Sequence, residues 1–131
     1  MLTQTNVVPV SLSPSEVVNL VFEAAEFSTV DEYVLHFTEN ARFQVANYPI
    51  TYGEQGIRKA VAPILEVAET VTHSMDLMWE VGDTVICKAE VHYKRWDRKI
   101  VPPIPVMNII KVEGNKVSSL MAFGDFSPLF Q

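Results

Sequence analysis

Cysteine is almost missing from this chain of 131 residues, and the single Cys87 excludes an internal disulfide. A lone thiol suits a reducing cytosol, so a cytoplasmic protein is expected. Positive charge is also scarce: ten Lys and Arg face sixteen Asp and Glu, for a formal net charge of −6. The basic pairs Lys94-Arg95 and Arg98-Lys99 share one loop and are too short to track a phosphate backbone, so a nucleic-acid partner is not expected. No run approaches the ~18 consecutive apolar residues of a membrane span. The opening MLTQTNVVPV lacks the basic start and apolar core of a signal peptide. Metal-ligand spacing is missing too. His73, Glu90 and His92 could ligate zinc by type, but they follow no recognised motif, and no cofactor is expected.

What remains is an ordinary globular composition, with 48% hydrophobic and 20% charged residues. The length fits one domain that buries roughly two-thirds of its unfolded surface. Residues 1–12 read as an N-terminal arm and 13–131 as the domain.

The first half reads helical. Ser13 is an N-cap with Pro14 at the first helical position and Glu16 completing a capping box. The stripe Val17, Val21, Ala24, Ala25 then runs to Phe27. A second helix starts at Thr29, with Glu32 as box partner and Val30, Tyr33, Val34 and Phe37 on its apolar side. Residues 41–46 read as a short strand and 47–52 as a loop. Gly53-Glu54-Gln55-Gly56 opens a third helix, which Pro63 should kink.

The second half reads as an antiparallel meander. Gly82-Asp83 and Gly114-Asn115 each separate two β-rich runs, the signature of a two-residue hairpin. Helices followed by one sheet imply an α+β domain with helices covering one sheet face.

A two-residue loop dictates which residues face each other. From Gly82-Asp83 the pairs run Val81/Thr84, Trp79/Ile86, Leu77/Lys88, Met75/Glu90 and His73/His92. One face therefore gathers His73, Lys88, Glu90 and His92 among Met75, Leu77, Trp79 and Ile86. That mixture suits the wall of a small-molecule pocket, mostly apolar with a few convergent polar groups. The other face, Val85, Cys87, Ala89, Val91 and Tyr93, would then be a subunit interface, because a monomer rarely exposes so large an apolar patch. From Gly114-Asn115 the same logic groups Val106, Asn108 and Ile110 with Ser119, Met121, Phe123 and Asp125. A β-bulge in either strand would reverse part of this assignment.

These features resemble the nuclear transport factor 2-like superfamily, in its SnoaL-like branch, over about residues 14–130. The resemblance lies in Val30-Asp31-Glu32-Tyr33 through Ala41-Arg42-Phe43, then Tyr52-Gly53-Glu54-Gln55-Gly56-Ile57. It continues in Val81-Gly82-Asp83-Thr84-Val85, Glu113-Gly114-Asn115-Lys116-Val117 and the ending Phe123-Gly124-Asp125-Phe126-Ser127-Pro128-Leu129. It implies a cone-shaped, cystatin-like α+β fold in which three N-terminal helices pack on a bent, mostly antiparallel sheet around a pocket. Members include isomerases, cyclases, dehydratases and epoxide hydrolases, alongside domains with no known reaction, so the fold alone does not decide function.

Residue by residue, the resemblance points to Asp125, which matches the last-strand acid of cyclase and hydrolase members. Ketosteroid isomerase-like members carry an acid after the first strand, where this chain has Phe43-Gln44-Val45-Ala46-Asn47 and no carboxylate. Among Phe123, Phe126 and Phe130, Asp125 should have a raised pKa and act as general acid/base. His73, Glu90 and His92 would orient the substrate or complete a relay. Trp79, Lys88, Asn108, Phe123, Tyr48 and Tyr52 would line the pocket. The implied activity is a cofactor-independent isomerase, cyclase or dehydratase acting on a small apolar substrate. A ligand-binding or dimerisation domain without chemistry remains the alternative, and a homodimer formed through the sheet is expected in either case.

Overall fold

The computed structural model describes residues 11–131; residues 1–10 of the expected arm lie outside the described residues. Residue 12 is not loose, since the Leu12 amide donates to Asn115 Oδ1 (3.1 Å) and its side chain packs on the core.

Ser13 caps helix α1 (Pro14–Phe27) with the full capping box expected from Ser13 and Glu16. Val17, Val18, Val21 and Ala24 bury its apolar stripe. Helix α2 (Val30–Val34) is one short turn capped by Thr29, not a helix reaching Phe37. Phe37 instead opens strand β1 (Phe37–Val45), which is longer than the expected 41–46. In the expected loop, Thr51–Tyr52 form a two-residue strand β2 paired with β1. Helix α3 (Gly53–Val67) contains Pro63 and continues through it. The expectation of three helices ahead of the sheet is met only in part, because α3 follows the first two strands.

Four long strands follow: β3 (Ala68–Val81), β4 (Thr84–Arg95), β5 (Ile104–Glu113) and β6 (Lys116–Phe123). They form one six-stranded sheet in the order β2-β1-β6-β5-β4-β3. All neighbours are antiparallel except β1 and β6, so the sheet is mixed. Both expected hairpins are present, and Gly82 and Gly114 take the positive φ that a type II′ turn demands of its first central residue. The chain closes with a 3-10 turn (Ser127–Phe130) whose Leu129 carbonyl is held by Arg95 Nη1 at 2.9 Å.

The expected pairs Val81/Thr84, Trp79/Ile86 and Leu77/Lys88 are observed. Beyond them the register shifts, because Asp76 is an extra residue on β3. Met75 now pairs with Ala89, Ser74 with Glu90, His73 with Val91 and Thr72 with His92. Another of the sheet's shifts lies between Lys111 and Val112, where Lys111 pairs with Ser119 and Val112 with Val117. Ser118 is the extra residue there. Each bulge swaps the face on which the residues beyond it lie.

The helices lie on the face carrying Val85, Cys87, Ala89 and Val91, and all four are buried in the core. The expectation that this strip is a subunit interface is therefore corrected: it is the inside of the sheet. Ile57 of α3 is fully buried in the same core. Shortening it leaves a cavity that close-packed neighbours fill only partly. Ile57→Ala is expected to lower unfolding stability by ~2–5 kcal/mol in urea denaturation, and an unchanged midpoint would count against this packing.

Candidate functional site

A cavity of ≈ 160 Å³ lies between the helices and the inner face of the sheet. Its rim is set by Ser28, Thr29 and Leu65, which are exposed, and its floor by Phe43, Val106, Asn108 and Leu120, which are buried. The wall is otherwise apolar or aromatic. Polar chemistry enters through Tyr33, His73, Tyr93 and Asn108.

His73 reaches this wall because of the Asp76 bulge. Unbulged pairing would put it opposite His92 on the outer face, whereas its observed partner Val91 belongs to the inner one. Helix α1 supplies its partner. Glu26 Oε2 accepts from the His73 backbone N–H at 2.6 Å and lies 2.9 Å from Nδ1. The two side chains are only 11% and 14% exposed. The Phe22 ring lies against the imidazole, 4.7 Å between centroids.

Burial pushes the His73 pKa below its ordinary value; the Glu26 carboxylate pulls the other way and does not win, and His92 adds slightly to the lowering. The neutral ring is thus the resting form at neutral pH. With a carboxylate accepting at Nδ1, the proton belongs there and Nε2 is left as a base. Such a carboxylate–imidazole pair is the usual way to orient a histidine for proton transfer.

Two phenols complete the chemistry. Burial raises the Tyr33 pKa, and the nearby Tyr93 adds to the effect. Burial also pushes Tyr93 up to about 12. Both remain protonated donors, suited to hold an oxygen atom that gains negative charge. On the floor, Asn108 is 3% exposed. It is hydrogen-bonded to the Cys87 thiol, which burial pushes up to about 11 and which is therefore not a nucleophile.

Of the residues singled out in the sequence, His73 and Asn108 line the cavity, while the remainder lie elsewhere. Asp125 is on the surface. Its carboxylate accepts from the Ser127 amide at 3.0 Å, and hydrogen bonds from Ser127 lower its pKa. The expected aromatic burial and raised pKa do not hold, because Asp125 follows the end of β6 and serves as a turn cap. Lys88, Glu90 and His92 lie on the outer face of β4. Lys88 pairs there with Asp76 at 3.0 Å, and His92 lies 3.3 Å from Ser74 Oγ. Trp79 (49% exposed) and Phe123 (43%) also point outward, as do Tyr48 and Tyr52 in the exposed segment before α3.

Glu26 was not singled out from the sequence, and Tyr33 and Tyr93 were expected on a helix stripe and on an interface strip rather than in a pocket. Glu26 did leave a signal: it extends the Val18, Phe22 spacing of four along α1, so an acid continues a core-facing stripe. A carboxylate in that position demands a partner.

No protein-family model matches the sequence, and no curated protein matches it. Solved structures do. An NTF2-like protein of unknown function from Cytophaga hutchinsonii superposes with a TM-score of 0.70 at 15% identity, covering 95% of this chain and 100% of its own. A protein with a ketosteroid isomerase-like fold from Catenulispora acidiphila, in complex with trimethylamine, gives 0.77 at 16% identity, covering 90% and 91%. A protein assigned as a SnoaL-like polyketide cyclase from Jannaschia gives 0.75 at 14% identity, covering 97% and 95%.

The Glu26–His73 pair makes a titration prediction. The folded pKa of His73 is depressed relative to the unfolded value, so the unfolded chain binds its proton more readily. Stability from this group is present above the unfolded value of ~6.5 and is lost as pH falls toward the folded pKa. In an NMR titration the His73 ring should have its midpoint below ~6.5. Glu26→Gln, which removes the carboxylate that favours the charged ring, should move it lower still. A midpoint that rises in Glu26→Gln would contradict this balance. With its helices closing over one face of a mixed sheet, the chain has the nuclear transport factor 2-like fold.

Proposed function

We propose that this protein binds a small, largely apolar molecule in the cavity and moves a proton on it, with His73 as the base. The observation that carries the reading is the buried Glu26–His73 pair in the wall of an otherwise apolar cavity. Glu26 holds the ring in one tautomer and Nε2 takes the proton, while the hydroxyl and amide donors of the cavity wall serve the oxygen that becomes negative. The trimethylamine held by the Catenulispora neighbour supports a small-molecule occupant. Acid/base isomerisation or dehydration of a carbonyl compound fits this set; Asp125 has no part in it.

Exchange of α-hydrogens of small cyclic ketones in D₂O, followed by proton NMR, tests the reading. His73→Gln is expected to slow enzyme-catalysed exchange by ~100-fold or more, and Asp125→Asn to leave it unchanged. Equal enzyme-catalysed exchange in His73→Gln would refute His73 as the base, and absence of exchange above the buffer rate in the wild type would leave a binding protein without chemistry.

For assembly we propose a homodimer formed by the outer face of the sheet. Leu77, Trp79, Met107 and Phe123 are exposed there, flanked by Lys88 and Glu90. A twofold axis through such a patch brings opposite charges together around an apolar centre, and a standard interface of ~800 Å² per partner covers it. Trp79→Lys should convert a dimeric mass in sedimentation to a monomeric one; a wild type already monomeric at micromolar concentration would refute the arrangement.

A further inference from the structure

Asn108 is an unusual group for its place. It is a carboxamide on the floor of a cavity whose other floor residues are Phe43, Val106 and Leu120. An amide offers two N–H donors and an oxygen with two lone pairs. Among the described residues its side-chain partner is the Cys87 thiol, a weak one. The rest of its capacity lies at the cavity wall, which it shares with the polar side chains of Tyr33, His73 and Tyr93. A buried amide in that condition is costly unless something in the cavity completes it.

The volume limits what that something is. At ≈ 160 Å³ the cavity is close to the ~150 Å³ of an engineered apolar cavity that admits benzene. One six-membered ring with a short substituent fills it; a fused second ring extends past the exposed rim of Ser28, Thr29 and Leu65.

Charge limits it further. No lysine or arginine lines the cavity among the described residues, and the nearest carboxylate is Glu26, behind His73. An anion entering would lose its hydration, gain no cation and approach a like charge. A cation would find aromatic faces, but Glu26 Oε2 is already engaged by the His73 backbone and ring, and the floor offers an amide without charge.

We infer that the cavity is specific for an uncharged molecule of one ring carrying an oxygen, and that Asn108 is the specificity-determining residue that reads this oxygen. The inference rests on the reading of the cavity as a ligand site and not on proton transfer by His73. Along β4, the partners of Asn108 and His73 are Cys87 and Val91, four residues or ~13 Å apart at strand rise. A ligand anchored at the floor by its oxygen therefore extends toward His73 with its carbon skeleton.

Calorimetry on the full chain tests this with five probes: phenol, toluene, benzoate, benzylammonium and 2-naphthol. Phenol is expected to bind about tenfold tighter than toluene of the same shape, as one hydrogen bond to a buried amide implies. Benzoate, benzylammonium and 2-naphthol should bind at least tenfold more weakly than phenol. In Asn108→Leu, phenol should fall to the affinity of toluene while toluene is unchanged; Asn108→Ser serves the same purpose if the leucine variant does not fold. His73→Gln should keep the phenol-over-toluene ranking, which separates this inference from the acid/base reading. Absence of phenol binding, a charged or two-ring probe binding as tightly as phenol, a preference that survives in Asn108→Leu, or one that disappears in His73→Gln would each overturn it.

Discussion

One extra residue in the edge strand decides which chemistry this cavity contains. Side chains along a strand alternate between faces, so an unbulged β3 would carry His73 on the same face as Trp79 and Leu77. Asp76 breaks the alternation, and the residues before it change sides. His73 turns inward, where Glu26 of α1 meets both its backbone N–H and its ring. Asp76 itself stays outside and pairs with Lys88. A neutral, oriented imidazole inside an apolar cavity follows from that local irregularity. Without it, the cavity wall would hold only hydroxyl and amide groups.

The inner surface is made by small residues. Val85, Cys87, Ala89 and Val91 lie flat on the sheet and let the helices approach, while Tyr33 and Tyr93 remain large enough to reach the space left over. The same apolar surroundings set the protonation states. Desolvation keeps both phenols protonated, the thiol inert and the imidazole neutral. The cavity therefore holds hydrogen-bond donors and one base but no net positive charge. That combination underlies the proposal of an uncharged ligand and of proton transfer at His73.

The outer face has the opposite character. Lys88, Glu90 and His92 stand there beside Trp79, Leu77 and Ile86, so polar and apolar groups mix on a surface that faces water or a partner. Composition alone does not separate such a surface from a pocket wall. Both are apolar with interspersed charges, and the difference is whether helices cover them.

Much was decided locally. The capping box at Ser13 and Glu16, the glycine turns at Gly82 and Gly114, and the pairs out to Leu77/Lys88 depend on neighbours in the chain, and the sequence alone determined them. So was the α+β class, because helical spacing dominates the first half and β-rich runs with glycine turns the second. The short-range hints failed where tertiary pairing competes: Phe37 left its helical stripe to open β1, since its partner Val117 comes from the far end of the chain. Which sheet face turns inward was decided only by the tertiary structure. Two bulged residues, Asp76 and Ser118, carry no turn signature of their own and gain their place from strands paired across the sheet. Asp125 and His73 show the result. The family resemblance made Asp125 a candidate and the hairpin register His73, but Asp125 lies past the end of β6 as a surface cap outside the cavity. A bulge and a glutamate 47 residues away placed the second within it.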